Sequence, residues 1–384
     1  MDKSCYILAI IFLPITCQII SCLARTNLTT DESALLDFKS HIITSDPYHM
    51  LARNWTNSSS LCRWSGVTCG VHHSHSRVIS LNLSHMGLSG TISPQLGNLS
   101  FLVALDLGFN HFTGTLPREL SFLPRLKFIS VIFNNLVGEI PSWLGVLPRL
   151  ERLNLRHNSF TGSIPNTLSN LSNLQILEFS YNSIDGEIPQ ELGRLHNLQV
   201  LSIQRNLLTG AIPPPIFNIS TLKIIAFKSN ELSGTLPNDL CKNLPFLQEI
   251  YLGSNKLSGQ IPSNLSQCSH LQILSLSYNM FTGGIPPAIG ELTALQYLLL
   301  GSNNLHGIVP QEIGNLEKLI GVGLEMNEMS GELPTTIFNI SSLQRLVLRN
   351  NKLVGNLAAD ITNLTALRIM DLSNNYFTGQ VHFT

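Results

Sequence analysis

The sequence predicts an α/β repeat fold, a solenoid of stacked coils with a parallel β-sheet along its concave face and a helical amino-terminal cap. Three observations predict it. Asparagine recurs at Asn110, Asn134, Asn158, Asn182, Asn206, Asn230, Asn255, Asn279, Asn303, Asn327, Asn351 and Asn375, each within L-x-L-x-x-N-x-L or a close variant. The period is 24 residues, broken by one extra residue between Asn230 and Asn255. A Gly-x-Ile/Leu-Pro signature follows, as in Gly114-Thr115-Leu116-Pro117 and Gly138-Glu139-Ile140-Pro141, and the residues ahead of the repeats lack the period altogether.

The chain opens with Met1-Asp2-Lys3, an apolar run from Cys5 to Ile20, then Ser21-Cys22-Leu23-Ala24, the pattern of a secretory signal over residues 1–24. The run is shorter than the roughly 20 residues that a membrane span needs, and no later stretch reaches that length. Residues 25–75 read as the cap. Thr30 or Asp31 is placed to cap a helix carrying Leu35, Leu36 and Phe38, with Ile42 and Ile43 a turn later and Asp46-Pro47 turning the chain. Trp55 and Trp64 supply a small core, and a cap covers the apolar edge and unpaired strand of the first coil.

Residues 76–384 hold about thirteen repeats, beginning near Val78, the last incomplete. In one of them Leu153-Asn154-Leu155 forms a strand with leucines inward, Gly162-Ser163-Ile164-Pro165 a second extended segment, and Leu168 and Leu171 the inward positions of a helical turn. The asparagine suits the sharp exit from the strand, because an amide donates and accepts at once and so satisfies interior backbone groups. Met86 takes that place in the first repeat. The chain stops at Thr384 without a terminal cap or closing cysteine pair, which reads as a truncated product or part of a longer protein.

Charged residues are 12% of the chain and the formal net charge is -1, so no basic field exists to gather nucleic acid. No H-E-x-x-H or G-x-S-x-G occurs, and the one histidine cluster, His72, His73 and His75, lies on a loop where histidines are solvated rather than metal-bound. No catalytic residue, cofactor or metal is expected. Ten Asn-x-Ser/Thr sequons fit export: Asn27, Asn54, Asn57 and Asn82, then Asn98, Asn170, Asn218, Asn264, Asn339 and Asn363, the last six read as one phase of the repeat on the solvated convex side. Cys62 and Cys69 sit in C-x-W-x-G-V-x-C, a spacing for a short disulfide loop. Cys241 and Cys268 lie about one coil apart, where either a disulfide or a buried free thiol at Cys268 fits.

The L-x-x-N-x-L-x-G-x-I-P-x-x-L-G-N-L pattern over about residues 78–381, with the DESALLDFK and CRWSGVTC blocks, closely resembles plant-specific leucine-rich-repeat proteins. It looks most like ectodomains of leucine-rich-repeat receptor kinases, in the subfamily holding receptors for bacterial flagellin and elongation-factor peptides. The resemblance implies a right-handed leucine-rich-repeat solenoid of the plant-specific type, at the cell surface or secreted. It also implies a peptide or protein ligand on the concave face and a co-receptor kinase ectodomain as second partner. No glycine-rich loop, H-R-D or D-F-G signature appears in these residues, so no kinase is expected here. Plant proteins of this repeat type also include secreted inhibitors of cell-wall-degrading enzymes, the alternative function.

The residues just before the ladder position, His85, Phe109, Phe133, His157, Tyr181 and Arg205, later Ser229, Ser254 and Tyr278, are expected as one continuous column of exposed strand positions, with Phe109, Phe133, His157, Tyr181, Arg205 and Tyr278 as candidate binding residues. Aromatic and arginine side chains in a row are typical partner anchors. Beside them run Arg152, Arg156, Glu178, Gln204, Lys228 and Tyr251, placed to orient the amides and carboxylates of an extended peptide. A glycan on Asn82 would project from the same face in the first coil, which moves the expected site to repeats two to eight.

Overall fold

The computed structural model describes residues 28–42, 46–47, 50–56, 58–72, 75–356, 361 and 363–378. The expected signal peptide, the sequons Asn27 and Asn57, Ile43 and His73 lie outside the described residues. The chain forms two compact units, residues 1–130 and 131–384.

The first unit starts with an α-helix, Leu28–Ser40, whose Ala34, Leu35 and Phe38 are buried. Phe38, Trp55 and Trp64 form its aromatic core, with Trp55 stacked on Trp64 at 5.3 Å between ring centroids and Phe38 tilted against Trp55 at 6.4 Å. Each indole N–H is satisfied, Trp55 donating to the Ser65 carbonyl and Trp64 to the Ser59 hydroxyl. A Cys62–Cys69 disulfide ties the 3₁₀ turn Leu61–Arg63 to the first strand of an antiparallel pair, Val67–His72 with His75–Asn82. Parallel strands Ala104–Asp106 and Phe128–Ser130 then extend the sheet. Gly90 marks where the helix end docks, because a Cβ there would lie 2.1 Å from the His41 carbonyl oxygen.

Asp31 has a different task from the one its sequence position predicts. The described helix begins at Leu28, so Asp31 is not its cap; it is buried. Its carboxylate accepts hydrogen bonds from Arg77 Nε at 2.9 Å, Arg77 Nη2 at 2.7 Å and the Val78 amide at 2.9 Å. A guanidinium fork satisfies a buried carboxylate more fully than free helix amides do, and it ties the cap to the first strand of the repeats.

The second unit repeats one coil. Ten three-residue strands, from Arg152–Asn154 to Ile369–Asp371, pair in parallel with matching register. Their central residues, such as Leu153, Leu177 and Leu201, are buried in all but the last strand, where Met370 is half-buried. Short second strands such as Asn135–Glu139 and Ser159–Ser163 pair on another side. Most coils then close through a five-residue 3₁₀ turn entered by proline, as at Pro165 before Asn166–Asn170. Proline fixes an extended entry and gives up no needed amide. Coil length leaves no room for an α-helix, and among the described residues α-helix is confined to the cap.

The asparagine ladder holds the coils to one another. Asn206 Nδ2 donates to the Phe179 carbonyl of the preceding coil and to Ile203 and Gln204 of its own turn, while its Oδ1 accepts from the Ile184 amide. The one-residue insertion falls between Leu240 and Leu244, where the coil has no 3₁₀ helix but carries Cys241, bonded to Cys268 of the next coil.

Candidate functional site

The residue before each ladder asparagine adopts a left-handed backbone, with φ of 52° at Phe133, 53° at His157, 60° at Tyr181 and 49° at Arg205. These positions lie beyond the strands rather than within them, since the preceding strands end at Ser130, Asn154, Glu178 and Ser202. Left-handed backbone costs an ordinary residue roughly 1–2 kcal/mol, and asparagine bears it best. Asn350 and Asn374 occupy this place in the last coils. Large rings occupy it in the earlier ones.

The turn aims successive rings along one line. In the second unit Phe133 stacks on His157 at 4.1 Å and His157 on Tyr181 at 3.9 Å. The Arg156 and Arg205 guanidinium groups lie 4.9 Å and 5.1 Å from the Tyr181 ring centroid, within cation–π range. Arg156 Nε is enclosed without a hydrogen-bond partner. The His157 imidazole is held below its ordinary pKa by burial first and then by Arg156, with Glu178 opposing and Arg205 adding a smaller lowering. A neutral imidazole suits a stack flanked by two guanidinium groups.

Phe109 stacks on His85 at 4.0 Å in the first unit. In the second unit the column of left-handed positions runs on from Arg205 through Ser229 and Ser254, which carry no ring, to Tyr278, which stands exposed. Arg152 and Lys228 project from the sheet face with free reach. Glu178 turns one carboxylate oxygen back to the Ser180 amide at 2.9 Å, so it braces its own turn as well as facing outward. Gln204 is seated by its backbone amide on Ser180 Oγ, which also meets Ser202 Oγ at 2.8 Å. Tyr251 pairs with Glu249 on its own strand; burial first, then that carboxylate's hydrogen bond and charge, push the phenol up to about 12.

Sequence reasoning missed Glu249, two residues before Tyr251 on one strand face, a signal that strict alternation carries. It also missed Gly321 and Gly323, the outward residues of a strand that contains no side chain on that face.

The sequons separate by face. Asn98, Asn170, Asn218 and Asn339 are exposed at the last residue of their 3₁₀ turns, and Asn363 is exposed ahead of buried Leu364. Asn264 is out of phase with them: it is the second residue of Ser263–Gln267, and Gln267 takes the place of Asn98. The sequence pattern misleads there because Cys268 replaces the leucine that marks the phase elsewhere. Asn82 is exposed at the end of its strand on the sheet face of the first unit. Among the described residues, no group of three or more His, Cys, Asp or Glu side chains is placed to hold a metal ion. The cluster therefore offers aromatic faces, guanidinium donors and a carboxylate, the means of non-covalent recognition.

Residues 28–70 match the leucine rich repeat N-terminal domain, and residues 101–123, 148–208 and 247–305 match leucine rich repeat models. The chain belongs to the leucine-rich-repeat family. Among leucine-rich-repeat relatives, the LRR receptor-like serine/threonine-protein kinase EFR of Arabidopsis thaliana is 51% identical over 79 residues, 21% of this chain and 7% of that protein. The crystal structure of PEPR1-AtPEP1 aligns with a TM-score of 0.74 and 31% identity, covering 91% of this chain and 56% of that one. The plant peptide hormone receptor RGFR1, solved in complex with RGF2, aligns with a TM-score of 0.60 and 28% identity, covering 75% of this chain and 58% of that one. The chain thus spans a small part of the curated receptor kinase and a little over half of each receptor chain. What it shares with them is leucine-rich repeat, without a catalytic domain.

Proposed function

We propose that this chain is an extracellular recognition module that binds a peptide or protein ligand on its sheet face, as part of a receptor-like protein at the cell surface or secreted from the cell. The Phe133–His157–Tyr181 stack, with Arg156 and Arg205 beside it, carries this reading. Rings held in left-handed turns where asparagine costs less lie outside the buried core, and aromatic and arginine side chains are the residues from which binding hot spots are built. The likeness to a peptide hormone receptor in complex with RGF2 supports a peptide as the ligand class. A shorter co-receptor ectodomain is the natural second partner in this reading. Residues 1–24 act as the export signal, residues 25–75 as the cap, and the exposed sequon asparagines as glycan carriers. The test is a double substitution, Phe133→Ala with Tyr181→Ala, probed with a phage-displayed library of random dodecapeptides. Peptides captured by the unaltered chain should lose binding to the variant while its melting transition is retained; undiminished binding would place the site elsewhere.

A further inference from the structure

A second feature of the sheet face lies further along the second unit. The strand Gly321–Gly323 has glycine at both outward positions, and Gly301 faces the same way at the turn of the coil before. None of the three adopts the left-handed backbone that other glycines of the chain use. Glycine within a strand costs roughly 0.5–1 kcal/mol relative to alanine, and no turn requires it here. Such glycines serve close approach.

What approaches is a carboxylate. A Cβ on Gly301 would lie 2.5 Å from Glu325 Cδ and 2.6 Å from Oε1, and a Cβ on Gly323 would lie 3.0 Å from Oε2. Glu325 therefore lies across the bare backbone of Gly301 and Gly323, and Tyr297 lies over Gly321 of the same strand, its Cδ1 2.9 Å from the Cβ position there. Its Oε2 is enclosed and accepts no hydrogen bond. The neighbouring cation does not serve it, because Arg349 Nε in the next coil is turned to Asp371 at 3.8 Å.

We propose that Glu325, on its glycine floor beside Tyr297, is a specificity subsite for a basic side chain of an extended peptide, an inference that rests on the sheet-face reading above. Glu325 keeps a partly exposed edge, and a carboxylate with one oxygen enclosed and unpartnered is served best by a charge-assisted donor meeting that edge; a guanidinium or ammonium group can also lie against the Tyr297 ring. The missing Cβ atoms let Glu325 and Tyr297 lie low on the sheet, which leaves room above them for the peptide. Six coils separate the ladder asparagines Asn182 and Asn327. At about 4.8 Å per strand they are roughly 29 Å apart, the reach of about nine extended residues, so one peptide spans the ring stack and Glu325.

Dodecapeptides captured from the random library on the unaltered chain are predicted to share an arginine or lysine at one position. Their affinities, measured by calorimetry, should fall about tenfold or more for Glu325→Gln. Gly301→Ala, which displaces the carboxylate without removing it, should give a similar loss, and Glu325→Arg should select acidic residues at the same position. Peptides that bind Glu325→Gln within twofold, yet still fail on the Phe133→Ala, Tyr181→Ala variant, would overturn the subsite and leave the sheet-face reading standing. Peptides indifferent to both variants, or no capture at all, would overturn both. Unshifted melting transitions confirm that each variant is folded.

Discussion

At the scale of single residues, the side chains that build the coils and those that serve their surface obey different rules. Asn206 is buried and engaged at both ends of its amide, so Asn206→Ala takes the Oδ1 acceptor from the Ile184 amide and one of two donors from the Phe179 and Ile203 carbonyls, which keep Asn182 and Asn230. A cost of about 1–3 kcal/mol is expected, read as a lower denaturation midpoint. The sequence displayed this role openly, since one residue type at one phase admits few explanations. The stacked rings were legible as a list of residues but not as a geometry. Their left-handed backbone depends on how each turn leaves its strand, which letters alone do not encode. His157 provides a check on the stack. Its pKa is lowered in the fold, so as pH falls through about 6.5 the unfolded chain takes up the proton first and stability declines. Replacing the ring without its charge, His157→Phe, should flatten the dependence of melting temperature on pH between neutral and mildly acid conditions. Parallel curves for the two proteins would show that the imidazole is not perturbed.

At the scale of elements, the insertion and the cap each carry a device the period did not foretell. The extra residue between Leu240 and Leu244 replaces a regular 3₁₀ turn, and the Cys241–Cys268 bond secures the irregular coil to its neighbour. Sequence left this pair open because Cys268 stands at an inward position where a thiol packs equally well. With a sequence separation of 27 between the cysteines, Cys241→Ser with Cys268→Ser should cost about 3–4 kcal/mol, measured by denaturant unfolding of the oxidised protein. In the cap, the buried Asp31–Arg77 pair joins the helix to the first long strand. Removing one member of a buried pair strands the other, so Asp31→Ala should destabilise the first unit by about 3–5 kcal/mol, seen as loss of protection of the Val78 amide in hydrogen exchange. Nothing in the sequence pointed to this pairing across 46 residues, because helix-start logic claimed Asp31 first.

At the scale of the whole molecule, repetition made the architecture readable while leaving the choice of face to exceptions from the repeat. A period of 24 residues dictates parallel strands, a buried spine and an amide ladder wherever it holds. The proposed function rests on the departures, on rings where asparagine is easier, glycines where no turn needs them and a carboxylate oxygen without a hydrogen bond. Sequon positions fit that proposal, for among the sequons of residues 131–384 none lies on a strand of the main sheet. One substitution turns this into a direct test. Glu178→Asn places a sequon ahead of Phe179 and Ser180, in the same phase as Asn82-Leu83-Ser84 but beside the ring stack. Expressed in a glycosylating host, with occupancy confirmed by mass spectrometry, this variant should fold normally and lose capture of the library peptides. Capture at the unaltered level with the glycan in place would contradict the claim that ligands are read on the sheet face.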